Sequence, residues 1–493
     1  MQPAPSTAEL RLDANPAYRL IEATFVAVLL AILAFRTSAT TVDPDLWHEM
    51  ALGRETVRNG AVPWKDTLAY TPTVYPSVHH EWGTGLIAYA VADVFGEAGI
   101  SFLNLALIFG TAFVCWKSSR KAGTSVAVLG SFAVLAVFMA DYGCSPIRAQ
   151  MFSFLFTAIL CFFVQLDQSG QRKWIPVWLL VYTVWLNLHA GFLVGAGLFF
   201  CYWLEQFICG RPHRHLLTVG LAMIPLILVN PYGAHYVTYL WSAVRMERPL
   251  ISEWGPLWEV AQPHNLIAFL IAISTCVYSL RQTGLKRFPG ALLVIATAGY
   301  SLMHMRMLGF FAITWICFVP RHFEHSKFSR TLKESWHARS AYWLTVWTGA
   351  LLALSISIWK VQPWNLRVPG HRLIGEGRFA NYYPVGPVSY LQKTDFRGNL
   401  MLPFDFGAYV AWKMDGHVLV SIDSRYEVAY PPGSLESNYA FYMTGREAAR
   451  VIKSTEDTEA ILVPDWSPMT RVMRVDETLQ RDWIRVYTCL LYT

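Results

Sequence analysis

The sequence predicts a polytopic α-helical membrane protein with a small α/β domain at its C-terminal end, and three observations carry that expectation. Only 15% of the 493 residues are charged while 54% are hydrophobic, against roughly 25% charged in an ordinary soluble domain. Apolar runs recur along the first 360 positions, several close to the ~20 residues a membrane-spanning helix needs. The basic residues gather in short clusters between those runs, a topology signal and not one patch that could hold nucleic acid. A net charge of +6 therefore implies no nucleic-acid partner.

The first run, Leu20 to Phe35, is followed by Arg36-Thr-Ser-Ala-Thr with no small-residue cleavage site, so it reads as a retained anchor. A long polar loop follows, residues 37–98. Within it Thr84 to Phe95 is apolar but only about a dozen residues long, which suits a helix lying at the membrane surface. Later runs are expected at Ile100 to Trp116, Thr124 to Ala140, Met151 to Leu166, Ile175 to Leu188, Phe192 to Phe207 and Leu216 to Val229. Four more follow at Leu266 to Leu280, Ala291 to Met303, Leu308 to Val319 and Tyr342 to Trp359. That makes about 11 crossings by the length criterion.

With the short helix left at the surface, every second junction is basic: Lys117, Arg120 and Lys121; Arg172 and Lys173; Arg211 and Arg214; Arg281, Lys286 and Arg287; Arg321 to Arg339. These belong to the cytoplasm under the positive-inside rule. The N-terminus is then cytoplasmic in a cell (inner) membrane, and the other junctions and the tail after Trp359 are extracytoplasmic. The transmembrane part is residues 1–360 and the tail domain 361–493. In the tail, Arg378 to Gln392 reads as a helix after a Pro-containing turn. Asn399 to Leu402, His417 to Ile422, Ala460 to Val463 and Trp483 to Tyr487 read as strands, and Glu436 to Met443 and Arg446 to Lys453 as helices. Alternation of this kind implies a partly parallel sheet with a core of its own. Of eight cysteines, only Cys144 and Cys489 are placed to meet an oxidising compartment; the others sit in or beside apolar runs.

Polar residues gathered at a membrane surface are functional candidates. Asp43 and Asp45 flank a proline that stiffens the turn, so one carboxylate can act as a base while the other orients it, or the two can share a cation. The structural alternative is that Asp45 caps a helix beginning at Leu46. His79, His80 and Glu81 offer ligands to a divalent metal ion, although adjacent residues of an extended segment point to opposite faces; beside Trp82 they equally suit interfacial anchoring. Arg148 and Arg306 at outer span ends suit a phosphate group, whose oxygens match the guanidinium fork, or snorkelling to headgroups. Asp141, Asn187, His189 and Glu253 stand at other outer junctions and are candidate cavity residues. The loop Asn230 to Asn265, with Arg245, Glu247 and Arg248, is long enough to form a lid, while each of its charges taken singly reads as solvated surface. In Ser421-Ile-Asp423-Ser424-Arg425 a structural Asp–Arg pair is expected after a strand end.

The early aspartates Asp43 and Asp45, the short helix after them and Glu81-Trp82 before an interfacial helix resemble the GT-C glycosyltransferase superfamily. That group includes protein O-mannosyltransferases, aminoarabinose transferases and oligosaccharyltransferase catalytic subunits. The segments Arg148-Ala-Gln150, Trp185-Leu-Asn187-Leu-His189-Ala-Gly191, Asn230-Pro-Tyr-Gly233, Ser252-Glu253-Trp254 and Ser421-Ile-Asp423-Ser-Arg425 look like a largely uncharacterised bacterial branch of that fold. The resemblance implies transfer of a sugar from a polyprenyl-phosphate donor to an acceptor glycan, lipid or protein on the extracytoplasmic side. It makes Asp43 or Asp45 the catalytic carboxylate, and Asp141 takes the place of a second-loop acid without the acidic pair that oligosaccharyltransferases carry there. Rival readings are a flippase for a lipid-linked sugar, or a membrane scaffold presenting its tail to an envelope partner.

Overall fold

The computed structural model describes residues 16–37, 41–246, 252–368, 371–374, 378–381, 383–425, 429–444 and 457–488. Glu247, Arg248, Cys489 and the expected helix from Arg446 to Lys453 lie outside them. Helices fall at every expected apolar run: α1 (Pro16–Arg36), α4 (Ala98–Lys121), α5 (Val126–Cys144), α6 (Gln150–Gln168), α7 (Trp174–Leu188), α8 (Phe192–Ile208) and α9 (Arg214–Leu226), then α12 (Pro263–Thr283), α13 (Ala291–Met303), α14 (Leu308–Phe318) and α16 (Ser340–Val361). Six of these, α1, α4, α5, α6, α12 and α16, are long and apolar enough to cross a membrane, so the chain is a multi-pass membrane protein. Between them lie α2 (Pro44–Asn59), α3 (Trp82–Phe95), α10 (Ala234–Arg245), α11 (Leu257–Val260) and α15 (Lys327–Ala338).

Helix α14 is the pivot of the apolar core: every residue from Leu308 to Phe318 is buried, whereas α16 buries none of its residues. A helix apolar all round belongs in the core of a bundle or in a membrane, and α16 is only partly covered, its Trp347 packing on Phe25 of α1. The polar junctions sort to two ends. Arg211 donates to the Lys286 carbonyl and Arg321 to the Arg287 carbonyl, while Glu324 accepts from the Ser125 backbone N–H and from Lys333. Arg148, Glu253 and Arg306 bond to one another at the other end.

The tail carries a hairpin, β1 (His371–Ile374) with β2 (Arg378–Asn381), then α17 (Val385–Lys393), β3 (Gly398–Met401), α18 (Phe404–Lys413), β4 (Val418–Val420), α19 (Ser434–Tyr439), β5 (Ala460–Ile461), α20 (Met469–Val475) and α21 (Glu477–Asp482). Strands β4, β3 and β5 form a parallel sheet in that order. The expected helix over Arg378 to Gln392 thus opens as strand β2 and is helical only from Val385 on, and Trp483 to Tyr487 forms no strand. Hydrophobic burial explains how the tail is held: the core is shared with the first polar loop, where Trp47, Met50 and Leu52 of α2 pack with Leu400, Phe406, Tyr409 and Val420. Loop residues also extend the sheet edge, Val420 N–H donating to the Leu68 carbonyl (2.9 Å) and Tyr70 N–H to the Val420 carbonyl (3.2 Å), which covers backbone groups that an open edge would expose.

Candidate functional site

The site begins with the start of α2. Asp43 is the N-cap, its carboxylate accepting from the Asp45 N–H at 3.1 Å with Pro44 in the first turn, a favoured pairing of cap and proline. The helix therefore starts two residues earlier than expected, and the cap is Asp43, not Asp45. This register places Asp45, His48 and Glu49 on one face. Trp47 on another face packs edge-on against Tyr383 and Tyr409 of the tail, 6.1 and 5.4 Å between ring centres. Helix α3 crosses closely because both contact positions are glycine: a Cβ on Gly53 would sit 2.3 Å from the Gly85 carbonyl oxygen, and one on Gly85 2.3 Å from that of Glu49. The close crossing brings Glu81, at the head of α3, beside Glu49.

Together these elements wall a cavity of about 850 Å³. Asp45, Glu49 and Glu81 line it from the first loop, His189 and Arg306 from the membrane helices, and Ser424 with Arg425 from the tail. Asp45 is exposed, and it lines this cavity. Burial in the surrounding protein, with the charges of Asp43 and Glu81, pushes its carboxyl well above the usual range. Glu49 is likewise pushed well up, by burial and then by Glu81 and Asp45.

Glu81 is the opposite case. Burial works against its charge, but His189 and His80 outweigh it and hold the carboxyl down at about 2. Nε2 of His80 lies 3.3 Å and Nε2 of His189 3.4 Å from Glu81 Oε1. The His189 tautomer is fixed by its other nitrogen: the Gly191 N–H donates to Nδ1 at 2.8 Å, so Nδ1 accepts and the hydrogen is on Nε2, facing Glu81. Burial lowers His189 to about 4.

Above this cluster runs a chain of alternating charge. Asp43 meets Arg148 at 3.2 Å, Arg148 meets Glu253 at 2.6 Å and Glu253 meets Arg306 at 3.1 Å. Arg306 also lies over the Trp254 ring, 4.7 Å from its centre. Both of Arg148's carboxylate partners occupy it, and neither Arg148 nor Asp43 lines the cavity; Arg306 does. Of the two arginines expected at a phosphate, then, only Arg306 lines the cavity.

Two expected cavity residues sit elsewhere. Asp141 accepts from Arg36 and from Asn265 (2.9 Å), beside His264 at 3.2 Å. Asn187 accepts from Trp82 Nε1 (2.9 Å) and donates to the Thr183 and Val229 carbonyls, a clasp between α3, α7 and the segment after α9. The expected metal trio does not converge: His79 Nε2 lies 3.0 Å from Glu49, while His80 lies beside Glu81 and Tyr239. Among the described residues no group of three or more His, Cys, Asp or Glu side chains is arranged to hold a metal ion, so the donor set present does not fit one. Cys144 is buried and unpaired with another cysteine. The expected Asp423–Arg425 pair is formed at 2.7 Å, and Arg425 also meets Asp66 of the first loop at 2.5 Å. Sequence reasoning passed over His48, Glu49 and Ser424; the spacing of Asp45, His48 and Glu49 on one helix turn was the available signal for the first two.

Two solved structures share this architecture. The archaeal oligosaccharyltransferase AglB from Archaeoglobus fulgidus, in complex with an inhibitory peptide and a dolichol-phosphate, superposes with a TM-score of 0.59 at 12% identity over 88% of this chain and 68% of that one. The Archaeoglobus fulgidus oligosaccharyltransferase tethered to an acceptor peptide containing the NVT sequon gives 0.57 at 11% identity, with the same coverage. The fold is of the GT-C type. No protein-family model matches the sequence, and no curated protein matches it. At this identity the GT-C likeness is one of backbone architecture, and function rests on the site itself.

Proposed function

We propose that this GT-C protein is a membrane glycosyltransferase that moves a sugar from a polyprenyl-phosphate donor to an acceptor hydroxyl, with Asp45 as the general base. The carrying observation is that Asp45 lines the cavity with no ion pair among the described residues, and that Arg306 lines the same cavity. A raised carboxyl of this kind is matched to proton abstraction near neutral pH. Asp43, by contrast, is committed to the helix cap and to Arg148 and serves as a positioning residue.

The acceptor oxygen attacks the anomeric carbon and gives its proton to Asp45. The bond from that carbon to the carrier phosphate breaks, its electron pair leaving with the phosphate, and the configuration inverts. Arg306 meets the developing negative charge, while Arg148 and Glu253 hold Arg306 in place. Glu81, kept ionised by His80 and His189, is available to bind sugar or acceptor hydroxyls. The archaeal enzyme's complex with dolichol-phosphate supports a lipid-phosphate donor. In this reading the protein sits in the inner membrane with about 11 crossings, α3 at the surface, the N-terminus cytoplasmic and the tail extracytoplasmic, a topology that the alternation of basic junctions supports.

The test is transfer of a radiolabelled sugar from its polyprenyl-phosphate carrier by the full chain in bilayers. Asp45→Asn is expected to lower turnover by ~10²–10⁴-fold, and Arg306→Gln to weaken retention of polyprenyl phosphate itself. Wild-type rates in Asp45→Asn would overturn the assignment.

A further inference from the structure

Besides histidines, three cationic side chains line the cavity among the described residues: Lys65, Arg306 and Arg425. Arg306 meets Glu253 at 3.1 Å, and Arg425 meets Asp423 at 2.7 Å and Asp66 at 2.5 Å, so both guanidinium groups bring their counter-charges with them. Lys65 is exposed and has no ion pair among the described residues. Its main chain, by contrast, is fixed on both flanks. Before it, the Tyr232 hydroxyl donates to the Pro63 carbonyl (3.2 Å) and the Ser77 N–H to the Trp64 carbonyl (2.8 Å). After it, Asp66 Oδ1 accepts from the Leu68 N–H (2.6 Å) and the Ala69 N–H (3.1 Å), while Oδ2 meets Arg425. An ammonium on a flexible stem is thus carried by a rigid anchor at the cavity wall.

The preceding residue adds an aromatic surface at the same edge. The Trp64 ring is braced by Tyr232, 5.8 Å between centres, and edge-on by His235 at 5.5 Å, yet 40% of the residue is exposed. It stands between Pro63 and Lys65, which both line the cavity. A single exposed aromatic residue is ordinary on a protein surface. One that is held rigid beside an unpaired cation, at the edge of a cavity, combines the two contacts an acidic sugar can use: an apolar ring face for its C–H groups and a counter-charge for its acidic group.

We propose that Lys65 is a specificity-determining residue for the acceptor, and that the acceptor is a glycan bearing an acidic group, a carboxylate or a phosphate, with a sugar ring resting on Trp64. Assigning this acidic group to the acceptor rests on the transferase reading above, in which Arg306 meets the donor phosphate; binding of an acidic glycan at Lys65 does not. An ammonium is a point charge and lacks the fork by which a guanidinium selects planar oxyanions, so the negative charge itself is what Lys65 recognises. The rest of the first-loop wall offers such a group no counter-charge, since Asp45, Glu49 and Glu81 line it.

Ligand-observed NMR titration of the full chain in lipid nanodiscs, with no donor present, reads this binding directly. The probes are trigalacturonate against neutral galactotriose, and mannopentaose 6-phosphate against mannopentaose. The wild type is expected to bind the acidic member of at least one pair about two- to fivefold more tightly at low ionic strength, the size an exposed ion pair supplies, and the preference shrinks as salt is added. Preference within one pair alone names the acidic group. Lys65→Gln, at an exposed position, removes the preference and leaves the neutral member unchanged, and Lys65→Arg keeps it. Lys393→Gln, at an exposed lysine of α17, leaves it unchanged and so separates a site from general attraction to a basic chain. Trp64→Ala weakens acidic and neutral members alike; binding unmoved in that variant removes the stacking role. No binding, equal binding within both pairs, or a preference that survives Lys65→Gln overturns the proposal. The two readings fail separately: a Lys65-dependent preference with full transfer in Asp45→Asn keeps the acidic-glycan site and removes the Asp45 base, whereas lost transfer in Asp45→Asn with no such preference removes only the acidic acceptor.

Discussion

Two buried acidic centres at opposite ends of the helical body use the same residue types and finish differently. At the basic-junction end, Asp167 of α6 is closed: Oδ1 accepts from Arg172 (2.8 Å), Trp174 Nε1 (3.1 Å) and lies 2.9 Å from His215, while Oδ2 accepts from Tyr202 (2.7 Å). At the cavity end, Asp45, Glu49 and Glu81 crowd one another with imidazoles between them, and part of their polar surface faces 850 Å³ of open space. A carboxylate whose lone pairs are all taken by protein donors ties elements together. One that keeps a side turned to a cavity is available to a substrate. Residue type does not separate the two cases; hydrogen-bond closure does.

The largest expected effect breaks the closed centre. Asp167→Ala leaves the buried Trp174 and Tyr202 donors without an acceptor and takes a partner from the more exposed Arg172 and His215, a loss of about 1–3 kcal/mol for each buried donor left unsatisfied. Thermal unfolding in detergent should show a large drop in midpoint, with any activity falling only as folded protein falls. Asp45→Ala should do the reverse, changing stability by less than about 1 kcal/mol because no ion pair is lost, while abolishing transfer. The sign follows from its raised carboxyl: the folded state disfavours the charge, so above that titration removing Asp45 is neutral or stabilising. A large unfolding shift in Asp45→Ala would place it with Asp167 as a structural acid.

How much of this was legible in the sequence differs between the same two ends. The apolar runs and the alternation of basic junctions are local properties, and every expected run is a helix. Arg148, Glu253 and Arg306 were legible as polar span ends, and the structure joins them. Their pairing was not legible, since Arg148 and Glu253 are 105 positions apart. Ser424 and His48 meet across 376 positions, through a tail whose short strands carry weak periodicity, and its α18 was not anticipated at all. The assignment of Asp45 as a cap failed because Pro44 is itself a good first helical residue, which moves the cap to Asp43. Asp141 was placed in the site by its outer-junction position and by the resemblance; the arginine that claims it, Arg36, comes from the end of α1.

The smallest expected effect separates the acids within the cavity end. Burial opposes the charge of Glu253, but Arg148 and Arg306 outweigh it and hold the carboxyl below its usual range. The folded state therefore binds this proton less readily than the unfolded chain does. The stabilisation is fully present above the ordinary Glu value near 4.5 and is lost as pH falls from there through the lower folded value. Asp45 and Glu49, with raised carboxyls, contribute the opposite slope, gaining stability as pH falls from above their folded values towards the ordinary ones. Unfolding midpoints followed downward from pH 7 should thus decline less steeply below pH 4.5 in Glu253→Gln than in the wild type, from a lower starting point. In Asp45→Asn they should lose the rise that comes at higher pH. Parallel curves for the two variants would mean that the arginine-clamped acid and the cavity acid are not electrostatically distinct, and the assignment of base and clamp to different residues would fall with that result.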